Sequence, residues 1–137
     1  MKPSPRHQSR IFAMQALFQW QFTQESPEIL LQDFIIEHQV PEKSMAYFQQ
    51  LFLETVRAIE AIDQRLSPYL KRTLTSLNPL ELSILRLAVT ELDHHPEVPK
   101  KVVVNEAIEL AKTYGASDGY KFVNGVLDAI VKSTAVG

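Results

Sequence analysis

Lys2, Arg6 and Arg10 are the only Lys, Arg, Asp or Glu residues ahead of Glu25, in a chain of 137 residues whose overall balance is slightly acidic at 14 Lys+Arg against 16 Asp+Glu. The excess of acid therefore lies downstream of a cationic leading segment. Arg6 and Arg10 are four apart and share one face of any helix that begins this early. His7 adds a donor that gains a positive charge in mild acid. Cations at a helix amino terminus oppose the macrodipole and repel one another, at a cost of a few tenths to about 1 kcal/mol. A bound anion would offset that cost, so the segment reads either as a solvated terminus or as a polyanion-binding surface for RNA.

A second group sits near the other end. Lys112, Tyr114, Lys121 and Phe122 straddle the turn from Gly115 to Gly119, so amines and aromatic rings can meet around one interhelix corner. Cations beside aromatic rings neutralise and stack single-stranded nucleic acid. Phe122 falls at the edge of an apolar stripe starting at Val123, and burial in that stripe is the plainer reading of its ring.

Catalytic patterns are absent from the sequence. His7, His38, His94 and His95 never stand at i, i+4 to another histidine or in an HExxH frame, so helical spacing builds no metal site. His94 and His95 read as exposed residues near a helix carboxyl end, where positive charge is welcome. Glu106 and Glu109 read as a solvated edge, with Glu109 facing Lys112. No phosphate loop, nucleophile elbow or dinucleotide fingerprint occurs. The chain has no cysteine, which excludes disulfides, thiolate nucleophiles and Zn–thiolate or Fe–S centres and fits a cytosolic setting. No apolar run approaches the roughly 20 residues of a membrane span. No enzyme, cofactor or metal is expected.

The elements that must position these groups read as all-α. All four glycines fall in the last quarter, and most prolines fall between apolar-periodic segments. The spacing predicts a first helix from between Pro5 and Ser9 to about Gln24, through Ile11, Met14, Leu17, Phe18 and Phe22. A second runs to about His38, with the Ser26 hydroxyl as its cap and Pro27 in the first turn. From Pro41, the residues Met45, Phe48, Phe52, Val56, Ile59, Ile62 and Leu66 hold one helical period for some six turns. Ser67-Pro68 ends that helix and starts a short one through Leu74. After Asn78-Pro79 the chain is apolar nearly all round to Leu92, the mark of a central helix. Val102 to Val104 suit a strand, but Val104, Ala107, Ile108 and Ala111 keep a helical period to Gly115, which caps it. A last helix starts near Ser117 or Asp118. Some seven helices with short connections imply one compact domain of two small bundles, about 1–77 and 78–137.

Three strings carry a resemblance: Pro79-Leu-Glu-Leu-Ser-Ile-Leu-Arg-Leu-Ala88, Val104-Asn-Glu-Ala-Ile-Glu-Leu-Ala-Lys112 and Lys121-Phe-Val-Asn-Gly-Val-Leu-Asp128. With the Arg10 to Trp20 segment, they resemble the NusB family of bacterial transcription antitermination factors up to about Ile130. The resemblance implies an all-helical fold, no enzymatic activity, and a heterodimer with the ribosomal protein that doubles as NusE. It implies binding to single-stranded boxA RNA in ribosomal RNA operon leaders, and tethering to RNA polymerase in a complex that suppresses termination. By this resemblance the RNA surface takes in Lys2, Arg6, His7 and Arg10, and also Lys112, Tyr114, Asp118, Lys121, Phe122 and Asn124. The partner protein is expected against Phe18, Phe22 and Glu81. Phe18 stands where the family often has tyrosine, and the leading arginine run is sparser here than in many members.

Two rival readings come from the same resemblance. One is an RNA-binding accessory module of a ribosomal RNA methyltransferase, which the end of the chain at Gly137 disfavours. The other is a self-associating scaffold, because NusB-like domains form homodimers that hide the RNA surface.

Overall fold

The computed structural model describes residues 4–136, with side chains as far as Thr134. Within these residues lie seven α-helices: α1 (Pro5–Thr23), α2 (Pro27–His38), α3 (Glu42–Arg57), α4 (Ile59–Leu66), α5 (Pro79–His94), α6 (Lys100–Tyr114) and α7 (Gly119–Val136). Two 3₁₀ turns, Ser67–Tyr69 and Leu74–Ser76, join α4 to α5. No helix among the described residues is long and apolar enough to cross a membrane.

The central helix is α5, as its all-round apolar pattern predicts. From Glu81 to Glu91 every residue except Arg86 is buried, and α1, α3, α4, α6 and α7 all pack on it. Asn78 fixes its start, because its Oδ1 accepts from the amides of Leu80 and Glu81 at 2.9 and 3.3 Å. One continuous buried cluster runs from Ala13 in α1 to Ile130 in α7. Phe34 and Phe48 are almost fully enclosed, with their ring centroids 5.4 Å apart, and Phe12 packs edge-on to both. Burying each such ring contributes roughly 2–3 kcal/mol.

Several boundaries differ from the sequence expectation. The segment from Pro41 to Leu66 is two helices, broken at Ala58 (φ −109°, ψ 22°). The break lets α3 lie along α1 while α4 turns onto α5, so tertiary packing overrides an unbroken helical period. The expected short helix through Leu74 is instead the two 3₁₀ turns, with Leu70 extended between them. Ser26 gives no side-chain cap to α2; its hydroxyl bonds Glu28 at 3.2 Å. Gly115 does end α6, but in extended backbone (φ −86°, ψ −178°) rather than left-handed. Glycine is needed there because a Cβ would sit 2.7 Å from the Ala111 carbonyl oxygen. The left-handed caps belong to Gln24 and Gln39, at φ 54° and 49°.

Candidate nucleic-acid interface

The leading arm is built onto the body rather than left free. Ser4 caps α1 by accepting from the His7 amide at 3.1 Å, and Pro5 supplies the first turn. Two turns later Arg10 is only 5% exposed. Its Nε and Nη2 donate to the two carboxylate oxygens of Glu91 at 2.8 and 2.9 Å, and Nη1 reaches Glu106 at 3.3 Å. Tyr47 Oη donates to Glu91 Oε2 at 2.7 Å, and His7 Nδ1 pairs with the other oxygen of Glu106. Burial by itself would weaken the Arg10 charge, but the hydrogen bonds to Glu91 and the two carboxylates outweigh it and hold Arg10 above its ordinary value. Burial and the bond to Glu91 push the Tyr47 phenol up.

This geometry corrects the expectation that Arg10 is a free cation for phosphate. Its guanidinium is committed to Glu91 and Glu106, and it fixes the arm on α5 and α6. The same contacts correct the reading of Glu106 as a solvated edge. Arg6 remains exposed, with its guanidinium carbon 3.9 Å above the Tyr47 ring, and it is the arm's available cation among the described residues. Lys2 lies outside the described residues.

The carboxyl-terminal corner forms a cleft of about 600 Å³ lined by Tyr69, Lys71, Arg72, Lys121, Phe122, Gly125 and Val126. Arg72 places its guanidinium carbon 5.4 Å from the Phe122 ring centroid. A Cβ built at Gly125 would meet nothing within 4 Å, so this side of α7 is open. Of the lining cations and rings, the sequence pattern points to Lys121 and Phe122. It does not point to Tyr69, Lys71 and Arg72, because they sit in the 3₁₀ connection, where no helical period assigns them to a face. Lys71-Arg72 as an adjacent basic pair between helices is the signal that could have found them.

The remaining corner residues are exposed and spread around the turn. Lys121 pairs with Asp118 at 3.6 Å, Lys112 Nζ lies 5.1 Å from the Tyr120 ring centroid, and Tyr114 and Asn124 face solvent. Lys112 and Tyr114 do not line the Phe122 cleft. The arm docks on the same helix, since Glu106 lies six residues before Lys112, about 9 Å along the axis of α6.

Glu81, expected to face a partner protein, is 5% exposed and points into this corner. Its carboxylate accepts from the Ala116 amide at 3.3 Å and lies so close to Gly119 that a Cβ there would come within 1.9 Å of Oε2. An acid at the start of α7 complements the helix dipole. Phe18 and Phe22 do meet, edge-on at 5.0 Å, and Phe22 is 64% exposed. Phe22 borders two clefts: one of about 470 Å³ with Phe18, Phe34 and His38, and one of about 440 Å³ with Trp20, Ile59, Leu82 and Arg86. Arg86 shapes the second through paired 2.8 Å bonds to Asp63 and a 2.7 Å bond to Gln21.

His95 is also buried, not exposed as expected. Nε2 bonds Glu54 at 2.6 Å, Nδ1 bonds Glu97 at 3.1 Å, and the ring packs edge-on to Tyr47. Groups of His, Cys, Asp and Glu able to hold a metal ion are absent among the described residues.

A profile of the NusB family matches residues 7–132. The chain belongs to the NusB family. The transcription antitermination protein NusB of Mannheimia succiniciproducens is 46% identical over 134 residues, covering 98% of this chain and 94% of that protein. Among solved structures, T. maritima NusB superposes with a TM-score of 0.86 at 34% identity, over 96% of this chain and 93% of that one. A crystal structure of the antitermination factors NusB and NusE in complex with dsRNA superposes with a TM-score of 0.87 at 31% identity, over 94% and 97%. The all-α architecture is thus the NusB architecture, and the strings around Pro79, Val104 and Lys121 fall inside the matched span.

Proposed function

We propose that this NusB-family chain is a transcription antitermination factor that acts in the cytoplasm by binding boxA RNA together with NusE, as part of a complex on RNA polymerase. It has no catalysis of its own. The observation that carries the reading is the near full-length match to transcription antitermination proteins, and the NusB–NusE complex with RNA among the similar structures names the partners. The Phe122 cleft supplies the chemistry: three cations, Lys71, Arg72 and Lys121, line it together with two half-buried rings, Tyr69 and Phe122, and Arg72 sits over the second. That arrangement suits an unstacked base with its flanking phosphates.

On this reading Arg6, Lys121 and Phe122 touch RNA, with Lys71 and Arg72 added to them. Lys112, Tyr114, Asp118 and Asn124 border the path between arm and cleft. Arg10 and His7 position the arm, and Phe18 and Phe22 face NusE. So few cations give modest, salt-sensitive affinity, with a log–log slope of about −0.7 per neutralised phosphate on a single strand. Tight binding then needs NusE to complete the site.

The test is a salt-dependent titration of single-stranded boxA RNA and of a duplex of the same sequence, with and without NusE. Weak binding alone and tighter binding with NusE, with the single strand preferred and Arg6→Ala plus Lys121→Ala weakening both, supports the reading. Equal titration curves for wild type and that double variant would reject the surface.

A further inference from the structure

The outward face of α2 is built the wrong way round for a helix that meets only water. Its inner face buries Leu30, Leu31 and Phe34. On the opposite side Ile29 and Ile36, two turns apart on one stripe, are 56% and 75% exposed. They stand about 10 Å apart along the axis, with exposed Gln32 and Asp33 between them, and so offer two separate apolar anchors on one face.

Charge says what kind of surface would cover it. Glu25, Glu28, Asp33 and Glu37 all stand exposed on or beside this helix, and the sequence has no Lys or Arg between Arg10 and Lys43. Positive groups near the face are Arg57 of α3, which pairs with Glu28 at 3.2 Å, exposed Lys43, and His38, stacked on Phe34 at the far end of the helix. An acidic rim repels RNA, and it repels a second copy of the same face.

We propose that the outer face of α2 docks a cationic amphipathic segment of another protein, its apolar residues seated on Ile29 and Ile36 and its Lys or Arg side chains on Glu28, Asp33 and Glu37. This surface is separate from the Phe122 cleft, whose lining residues come from the 3₁₀ connection and α7. Apolar anchors inside a charged rim are the usual division between affinity and register in helix docking.

The test uses the full chain and three labelled peptides of about 18 residues, or five helical turns: a Leu/Lys amphipathic helix, its Leu/Glu counterpart, and a Ser/Lys peptide of equal charge. The expected result is that the Leu/Lys helix binds most tightly and weakens as salt rises. Ile29→Ser with Ile36→Ser should reduce its affinity about tenfold or more, Asp33→Lys with Glu37→Lys should do the same, and the RNA titration should stay unmoved. Equal Leu/Lys binding by the serine variant, or equal binding of the Ser/Lys or Leu/Glu peptide by the native chain, would overturn the proposal. So would light scattering showing a native dimer that the serine variant lacks, because a second copy would then own the face. Thermal melts check that the variants fold; Ile36→Gln alone, at the more exposed position, replaces any that does not.

Discussion

Arg10 and Glu91 stand 81 positions apart in sequence, yet the guanidinium meets both carboxylate oxygens at 2.8 and 2.9 Å inside the protein. The arginine that ends the chain's cationic arm is thereby a structural tie between α1 and α5, and the ion pair is closed off by Tyr47 and Glu106.

Removing one partner leaves a buried charge unpaired. Arg10→Ala is expected to cost about 3–5 kcal/mol in urea unfolding, and Arg10→Met with Glu91→Leu to recover part of that loss. Arg6→Ala should barely move the unfolding midpoint while weakening RNA binding. An Arg10 variant of native stability that still loses RNA would return that residue to the binding surface.

The His95 imidazole gives a pH dependence whose sign is fixed. Burial by itself disfavours its charge, but bonds to Glu54 and Glu97 outweigh that and raise its pKa above the usual value near 6.5. The stabilisation is fully present below that usual value and is lost as pH rises through the raised one. Glu97, lowered by a backbone hydrogen bond and then by His95, loses its share in acid, as pH falls through its depressed value. Urea midpoints between about pH 6 and 9 should fall for the native chain more steeply than for His95→Gln. Parallel curves would show that His95 is not held charged.

Within the Phe122 cleft, charge and stacking separate by salt. Arg72→Ala or Lys121→Ala should flatten the log–log salt slope of single-stranded RNA binding by about 0.7 for each phosphate that is no longer neutralised. Phe122→Ala should cost about 1–3 kcal/mol with the slope unchanged, since a ring neutralises no phosphate. A changed slope for Phe122→Ala would mean that the ring only holds Arg72 in place.

Gly119 is matched to Glu81. A Cβ at 119 displaces the carboxylate from the Ala116 amide, so Gly119→Ala should cost about 1 kcal/mol. In a Glu81→Ala background that cost should vanish, and a double-mutant cycle of thermal or urea unfolding measures the coupling. Additive losses would place the strain elsewhere.

The helices are legible in the sequence wherever one residue type dictates the local backbone. Asn78-Pro79 starts α5, and its all-round apolar residues put it at the centre. Position along a helix says nothing of what packs on it from distant sequence, so Arg10 reads as a free cation and His95 as exposed, while Glu81, which the resemblance assigns to a partner, is buried against Ala116 and Gly119. The break at Ala58 has no glycine or proline to announce it and follows from α3 and α4 packing on different neighbours. Lys71 and Arg72 are legible only as an adjacent basic pair, because the connection between the 3₁₀ turns has no periodic face to place them. Lys121 and Phe122 are legible because their spacing around a turn is local.

Synthesis runs from the amino end, so Arg10 leaves the ribosome long before Glu91 and Glu106 exist to receive it. Until α5 and α6 have emerged, its guanidinium has neither carboxylate to receive it, and α1, which can already pack on α3, has no tie to the carboxyl-terminal half. The first cations made are thus among the last to be paired, and a truncated product lacking α6 would present its arm without the ruler that spaces it from the carboxyl-terminal corner.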